Sequence, residues 1–302
     1  MDFTIPEAAR SVDSLLDQRT QLVGPKRFRK LRGWKFSYWP ECSEASVVWV
    51  ELGASRRSTP ADIESRPTES GPAEPKIPGL SDPTSVPVED ASWKIANGRA
   101  RSRSRRYFVR NRLRFMWVLT FAESRRDRAK VMTLVSDFAR RLRSNLDVKA
   151  LPYWYSPELH PGGHGWHVNF FVSMYLSHAR VADLWGHGFV WVTDFEQSPR
   201  APKGEPLGMC RTPREGWRRA AAYGCKYAQK DWKPGVVGPR IHRYEVAQGF
   251  APQVEKQWID AQSDAWNLVA ELVSTDDWAG LQHWDSNDES EWDRPPVLTF
   301  RW

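Results

Sequence analysis

Hydrophobic and polar positions fall into blocks along this chain, and the period changes from block to block. Phe115-Met-Trp-Val-Leu-Thr-Phe121 is a continuous β-branched and aromatic run, which predicts a buried strand. Arg126 to Asn145 switches to helical spacing, with Val131, Leu134, Val135, Phe138 and Leu142 on one stripe and arginines opposite. Leu151 to Glu158 predicts a second strand, Trp166 to Met174 a third and Gly188 to Thr193 a fourth. Between the second and third, Leu159-His-Pro-Gly-Gly-His-Gly165 has the proline and glycines of a tight connection. Ser177 to Trp185 predicts a short helix, and Pro213 to Trp232 a longer one. Strand, helix, hairpin, helix, strand and helix in that order predict an α+β fold with a mainly antiparallel central sheet flanked by helices.

Outside this block the pattern thins. Ser46 to Leu52 reads as a short β-like run, and from 53 to 90 the chain is rich in Pro, Ser, Thr and Glu. That composition predicts a flexible linker. The chain therefore divides into an N-terminal segment (1–52) with no assigned role, the linker (53–90), a folded domain (91–255) with a basic arm at 94–114, and an acidic, Trp-rich C-terminal cap (256–302). With 302 residues, 40% of them hydrophobic, and 17 tryptophans, there is ample material for a core.

Charge changes the picture more than composition does. The net charge is +7, but it is unevenly spread. From Ser92 to Ala122 there is no acidic residue, while Arg101, Arg103, Arg105, Arg106, Arg110 and Arg112 crowd together. Such a block is the electrostatic footprint of a polyanion-binding surface. Tyr107, Phe108 and Phe115 within it are placed either to stack on bases or to pack inward. Three widely spaced cysteines without a CxxC pair argue against a disulfide framework. No apolar run approaches 18 residues. The expectation is a cytoplasmic protein with no membrane contact.

Two groups of residues carry candidate chemistry. Tyr223-Gly-Cys-Lys226-Tyr227-Ala-Gln-Lys230 sets two phenols four apart, each followed three residues later by a lysine. On a helix both phenols share a face with ammonium groups beside them. A phenol in a cationic field is suited to attack on a phosphodiester. The second group lies at the hairpin: Glu158 ends one strand, and His167 and Asn169 flank Val168 on the next, so they point to one face. A carboxylate, an imidazole and an amide oxygen suit Mg²⁺ or Mn²⁺ better than structural zinc. His160 and His164 read as turn residues, because Pro161-Gly162-Gly163 rules out a helix through them.

In order along the chain, these motifs resemble those of the rolling-circle replication initiators of the HUH endonuclease superfamily, in the form found on actinobacterial plasmids and integrative elements. Val118-Leu-Thr-Phe121 looks like the first motif of that family, His167-Val168-Asn169 like its second, and Tyr223 to Lys230 like its two-tyrosine third motif. The resemblance spans about residues 94 to 255. It implies a nicking domain that opens a replication origin in single-stranded or hairpin DNA through a 5′-phosphotyrosyl intermediate. Tyr223 and Tyr227 would be the nucleophiles, Tyr223 first, with Lys226 and Lys230 holding phosphate charge. Glu158, His167 and Asn169 would bind the metal. Asn169 departs from the pattern, since the family usually has histidine there, and His164 is the candidate substitute. No GxxxxGK[ST] phosphate loop is present, so an unwinding motor is expected from a host helicase, alongside a host DNA polymerase. An origin-binding protein that keeps the fold without the chemistry, and a relaxase or transposase with the same chemistry, are the neighbouring readings.

Overall fold

The computed structural model describes residues 31–52, 91–123, 127–160, 165–197, 208–230, 243–290 and 295–302. The linker expected at 53–90 and His164 lie outside the described residues. In chain order the strands and helices begin with β1 (Leu31–Trp39), β2 (Glu44–Leu52), α1 (Ala91–Arg110), β3 (Phe115–Leu119), α2 (Arg128–Asn145), β4 (Tyr153–Leu159) and β5 (Trp166–Val172). They continue with α3 (His178–Trp185), β6 (Val190–Asp194), α4 (Pro213–Lys230), β7 (Glu245–Val246), β8 (Glu255–Ile259), α5 (Asp264–Leu272), β9 (Gln282–Asp285) and β10 (Val297–Arg301). The chain is α+β, and its strands form two five-stranded sheets whose pairings are all antiparallel. It divides into two compact units, Thr84–Pro252 and a second made of Met1–Pro83 with Gln253–Trp302.

The Thr84–Pro252 unit holds the sheet ordered β6-β3-β5-β4-β7. Both of its faces are covered, which explains why β3 is apolar throughout instead of alternating. Phe115, Trp117 and Leu119 of β3 join Val168, Phe170 and Val172 of β5 under α2 and α3, against Val131, Val135, Phe138, Val181 and Trp185. Met116 turns the other way and packs with Trp154 of β4, Phe171 of β5, Tyr107 and Phe108 of α1, and Ala220 and Ala221 of α4. α2 starts where Asp127 accepts bonds from the backbone N–H groups of Ala129 and Lys130, at 2.9 and 3.3 Å. α3 ends on Gly186 with φ +67°, the left-handed position that favours glycine.

The basic block proves to be helical. Ser104, Tyr107, Phe108 and Asn111 are buried at spacings of three and four, while Arg101 and Arg103 point to solvent. Tyr107 and Phe108 therefore pack inward. Tyr107 donates its hydroxyl to the Ala247 carbonyl at 3.2 Å, and Ser104 accepts the indole N–H of Trp154 at 3.2 Å.

The second unit joins segments that the sequence separates. Its sheet runs β8-β1-β2-β10-β9, so the acidic cap contributes three of the five strands. Phe300 of β10 pairs with Ala45 of β2, and Leu298 with Val47. Phe36, Ala45, Val47, Leu298 and Phe300 pack against Ala265 and Val269 of α5. Trp302 is buried, whereas Trp258, Trp266, Trp278 and Trp284 are exposed. Among the described residues no helix is long and apolar enough to cross a membrane.

Candidate active site

Strand alternation decides which side chains share a face. In the Thr84–Pro252 unit the face carrying α1 and α4 also receives Glu158 from β4, and His167 and Asn169 from β5. Glu158 is paired with His167 in register, and Asn169 stands between Ser156 on β4 and Val118 on β3. His167 Nε2 lies 3.0 Å from Glu158 Oε2, and the two side chains are 13% and 6% exposed. Asn169, also buried, donates its amide Nδ2 to the same Glu158 oxygen at 3.4 Å.

Two details bear on a divalent cation. His167 Nδ1 is buried and has no hydrogen-bond partner. The ring of His160, which the sequence reads as a turn residue, sits with its centroid 4.6 Å from that of His167. The backbone of His160 is fixed by donation from its N–H to the Gly165 carbonyl at 2.9 Å. A buried carboxylate beside an imidazole with a spare nitrogen is a fitting donor pair for Mg²⁺ or Mn²⁺. Asn169 uses its NH₂ to orient that carboxylate, the kind of support an outer partner gives a ligand. Among the described residues no three His, Cys, Asp or Glu side chains are already gathered around one point.

The tyrosine motif is helical, as its spacing predicts, and it lies on α4. This helix starts near Glu196, whose Cα would be 3.1 Å from a Cβ at Gly216. It then crosses β5 at Gly224, where a Cβ would lie 2.8 Å from Phe108 Cζ and 3.4 Å from Phe171 Cε2. Tyr223 is half-buried in the same aromatic cluster, its ring 5.3 Å from that of Phe195. Phe195 follows Asp194, which pairs with Phe115, and Phe115 pairs with Val172. Val172 is five residues along β5 from His167, about 17 Å at the usual strand rise. Tyr223 and the Glu158–His167 pair thus belong to opposite ends of one sheet face. Continuing along α4 from Gly224 carries the backbone of Tyr227 and Lys230 away from the Phe195 end. Lys226 is exposed. The side chains of Tyr227 and Lys230 lie outside what the structure describes.

The basic residues divide. Arg101 and Arg103 of α1 and Arg112 after it are exposed, whereas Arg105, Arg106 and Arg110 are half-buried. Arg112 adopts φ +55° and stands over the Trp217 ring at 5.6 Å. Next to this surface α1 and α4 touch at Cys225, whose thiol donates to the Arg101 carbonyl at 3.6 Å. Burial pushes that thiol up to about 11, against the lowering influence of the Arg105 and Arg101 charges.

Some candidates escape sequence reasoning. His160 falls in a segment read as a turn, and only the pairing of β4 with β5 brings it to His167. Phe189 and Trp191 belong to a run read as the fourth strand, and they are 83% and 71% exposed. They sit on or next to an edge strand, and edge position is a property of topology, not of local pattern. Compared with models of protein families, with curated proteins and with solved structures, the chain matches none.

Proposed function

We propose that this chain is an HUH-type replication initiator, an endonuclease and strand transferase that nicks and rejoins single-stranded DNA at an origin. The observation that carries the reading is the shared sheet face. Glu158, His167 and Asn169 project from the side of the sheet on which α4, with its two tyrosine–lysine repeats, and the basic helix α1 both pack. A substrate strand running along that face would pass Tyr223 at one end and the carboxylate–imidazole pair of Glu158 and His167 at the other, with the Tyr227 stretch of α4 leading away from the Tyr223 end.

In the proposed reaction a tyrosine Oη forms a bond to phosphorus while the P–O3′ bond breaks. The phenolic proton is lost, the leaving 3′-oxygen takes one up, and the 5′-phosphate stays on the tyrosine. Attack of a 3′-hydroxyl on that phosphotyrosine reverses the step and rejoins the strand. Glu158 and His167 would hold a divalent cation, which when bound withdraws charge from the scissile phosphate. Lys226 meets developing charge on the phosphate oxygens. Motif position favours Tyr223 for the first cut. Its packing on Phe195 favours Tyr227 instead, with Tyr223 left to make a second cut at the end of a round, which frees the 3′-hydroxyl that attacks the first phosphotyrosine. Unwinding and synthesis would fall to a host helicase and DNA polymerase in the cytoplasm.

A second reading has one observation in its favour. With Asn169 turning its amide toward Glu158, the chain would bind an origin without cutting it. Incubation with single-stranded origin DNA and Mn²⁺, followed by a denaturing gel, separates the two. A covalent protein–DNA band that disappears in His167→Ala supports the nicking enzyme. Binding without any such band overturns it.

A further inference from the structure

Among the described residues of the Thr84–Pro252 unit, Phe189 and Trp191 carry the most exposed aromatic rings, and they lie on the face that carries the candidate active site. Trp191 pairs across β3 with Val118, which pairs in turn with Asn169, so Trp191 and Asn169 point the same way from one row of the sheet. Two strand spacings separate them, about 10 Å. Phe189 comes one step earlier, with its carbonyl accepting the Thr120 N–H at 2.9 Å and the Thr120 hydroxyl at 2.8 Å. The ring of Phe189 precedes that of Trp191 by two residues, about 6.6 Å along an extended chain.

The backbone that carries the rings is held in place. Ala122 N–H donates to the His187 carbonyl at 2.8 Å, and a Cβ at Gly188 would meet the Thr120 carbonyl oxygen at 2.5 Å and the Ala122 nitrogen at 2.7 Å. Glycine at 188 lets the chain close onto the end of β3, which fixes Phe189 before any ligand arrives. β6 is an edge strand, and edges are commonly blunted by charge rather than lined with bare rings. Two exposed rings side by side, on the sheet face that also carries the basic helix α1, suit a flat apolar ligand with a polyanionic backbone.

We infer that Phe189 and Trp191 form a stacking platform for bases of single-stranded DNA next to the Glu158–His167 site, positioning the strand without reading its sequence. The inference rests on the nicking reading only for the identity of the polyanion. Stacking on each ring strengthens binding about tenfold or more by the usual contribution of a base–aromatic contact. Because no charge is involved, the rings leave the salt dependence of binding untouched.

The test measures binding of full-length protein to a fluorescent oligo-dT and to an abasic strand of equal length, across a range of salt. Phe189→Ala with Trp191→Ala should weaken the oligo-dT complex about a hundredfold, leave the abasic complex unchanged and keep the salt slope. Both positions are exposed, and an unchanged thermal melt checks the fold. Equal loss on both strands, or no loss on oligo-dT, overturns the inference. So does sedimentation showing that the rings only bind a second copy of the chain. Wild-type protein that prefers oligo-dT over the abasic strand but forms no tyrosyl adduct keeps the platform and removes the nicking reading; an adduct without that preference does the reverse.

Discussion

Gly224 sets how closely α4 can approach the sheet. An alanine there would bring its Cβ to 2.8 Å from Phe108 Cζ, and Phe108 is itself fully buried between Trp154 and Phe171. The ring has no free volume to move into, so Gly224→Ala is expected to cost about 1–3 kcal/mol. Urea unfolding measures it, and a stability equal to wild type would contradict the packing. The neighbouring tyrosines separate by function. Tyr227→Phe should abolish the first DNA adduct, whereas Tyr223→Phe should leave that adduct and block only the second cut; a denaturing gel with a labelled strand reads both. At this scale the sequence was informative where chemistry follows a period of two or four: Glu158, His167 and Asn169 on one face, Tyr223 and Tyr227 on one helix. It was silent where contact depends on a partner strand, as with His160 against His167, or on position at a sheet edge, as with Trp191.

The packing of α1 against α4 gives an element-scale readout at Cys225. Its thiol is buried at the junction, and with a pKa raised to about 11 the reactive thiolate is scarce at pH 8, on the order of one in a thousand. Raising the pH increases that fraction, so alkylation of Cys225 should quicken toward pH 11 even without unfolding. At pH 8 iodoacetamide should modify the half-exposed Cys210 well before Cys225, and mass spectrometry of the peptides checks the order. Modification of Cys225 first would mean that α1 does not cover it. α1 is also the element least legible in the sequence. Its arginines dilute the apolar stripe, and the buried positions include Ser104 and Asn111, polar residues satisfied only by Trp154 and by the Tyr107 and Phe250 carbonyls. β3 and β5 were legible because both faces of their sheet are covered. Strands β8 and β9 were not, since their side chains are mostly exposed and alternate weakly.

For the whole molecule, the division into two units predicts separable losses. Phe300 is fully buried among Trp266, Leu298 and the α5 residues, so Phe300→Ala should destabilise its unit by about 3–5 kcal/mol. Adduct formation by the Thr84–Pro252 unit should survive at temperatures where the other unit has melted, which paired calorimetry and gel assays would register. Simultaneous loss of both signals would mean one cooperative body. The charge division follows the same boundary. The basic block lies wholly on α1 and its exit, in one unit, and the acidic residues Asp264, Glu271, Asp276 and Asp277 in the other. That separation is visible in the sequence, but the partnership of β1 and β2 with the distant C-terminal strands is not, because nothing local in either segment names the other.

That partnership sets an order of events at the ribosome. β2 ends at Leu52, and the strands that flank the β1–β2 hairpin, β8 and β10, begin at Glu255 and Val297. During synthesis the hairpin emerges long before either neighbour exists, while every strand of the Thr84–Pro252 sheet is already made. The inserted unit can therefore close first, and the nascent hairpin waits with both edges unpaired until β8 emerges, and with its β2 edge unpaired until β10 follows.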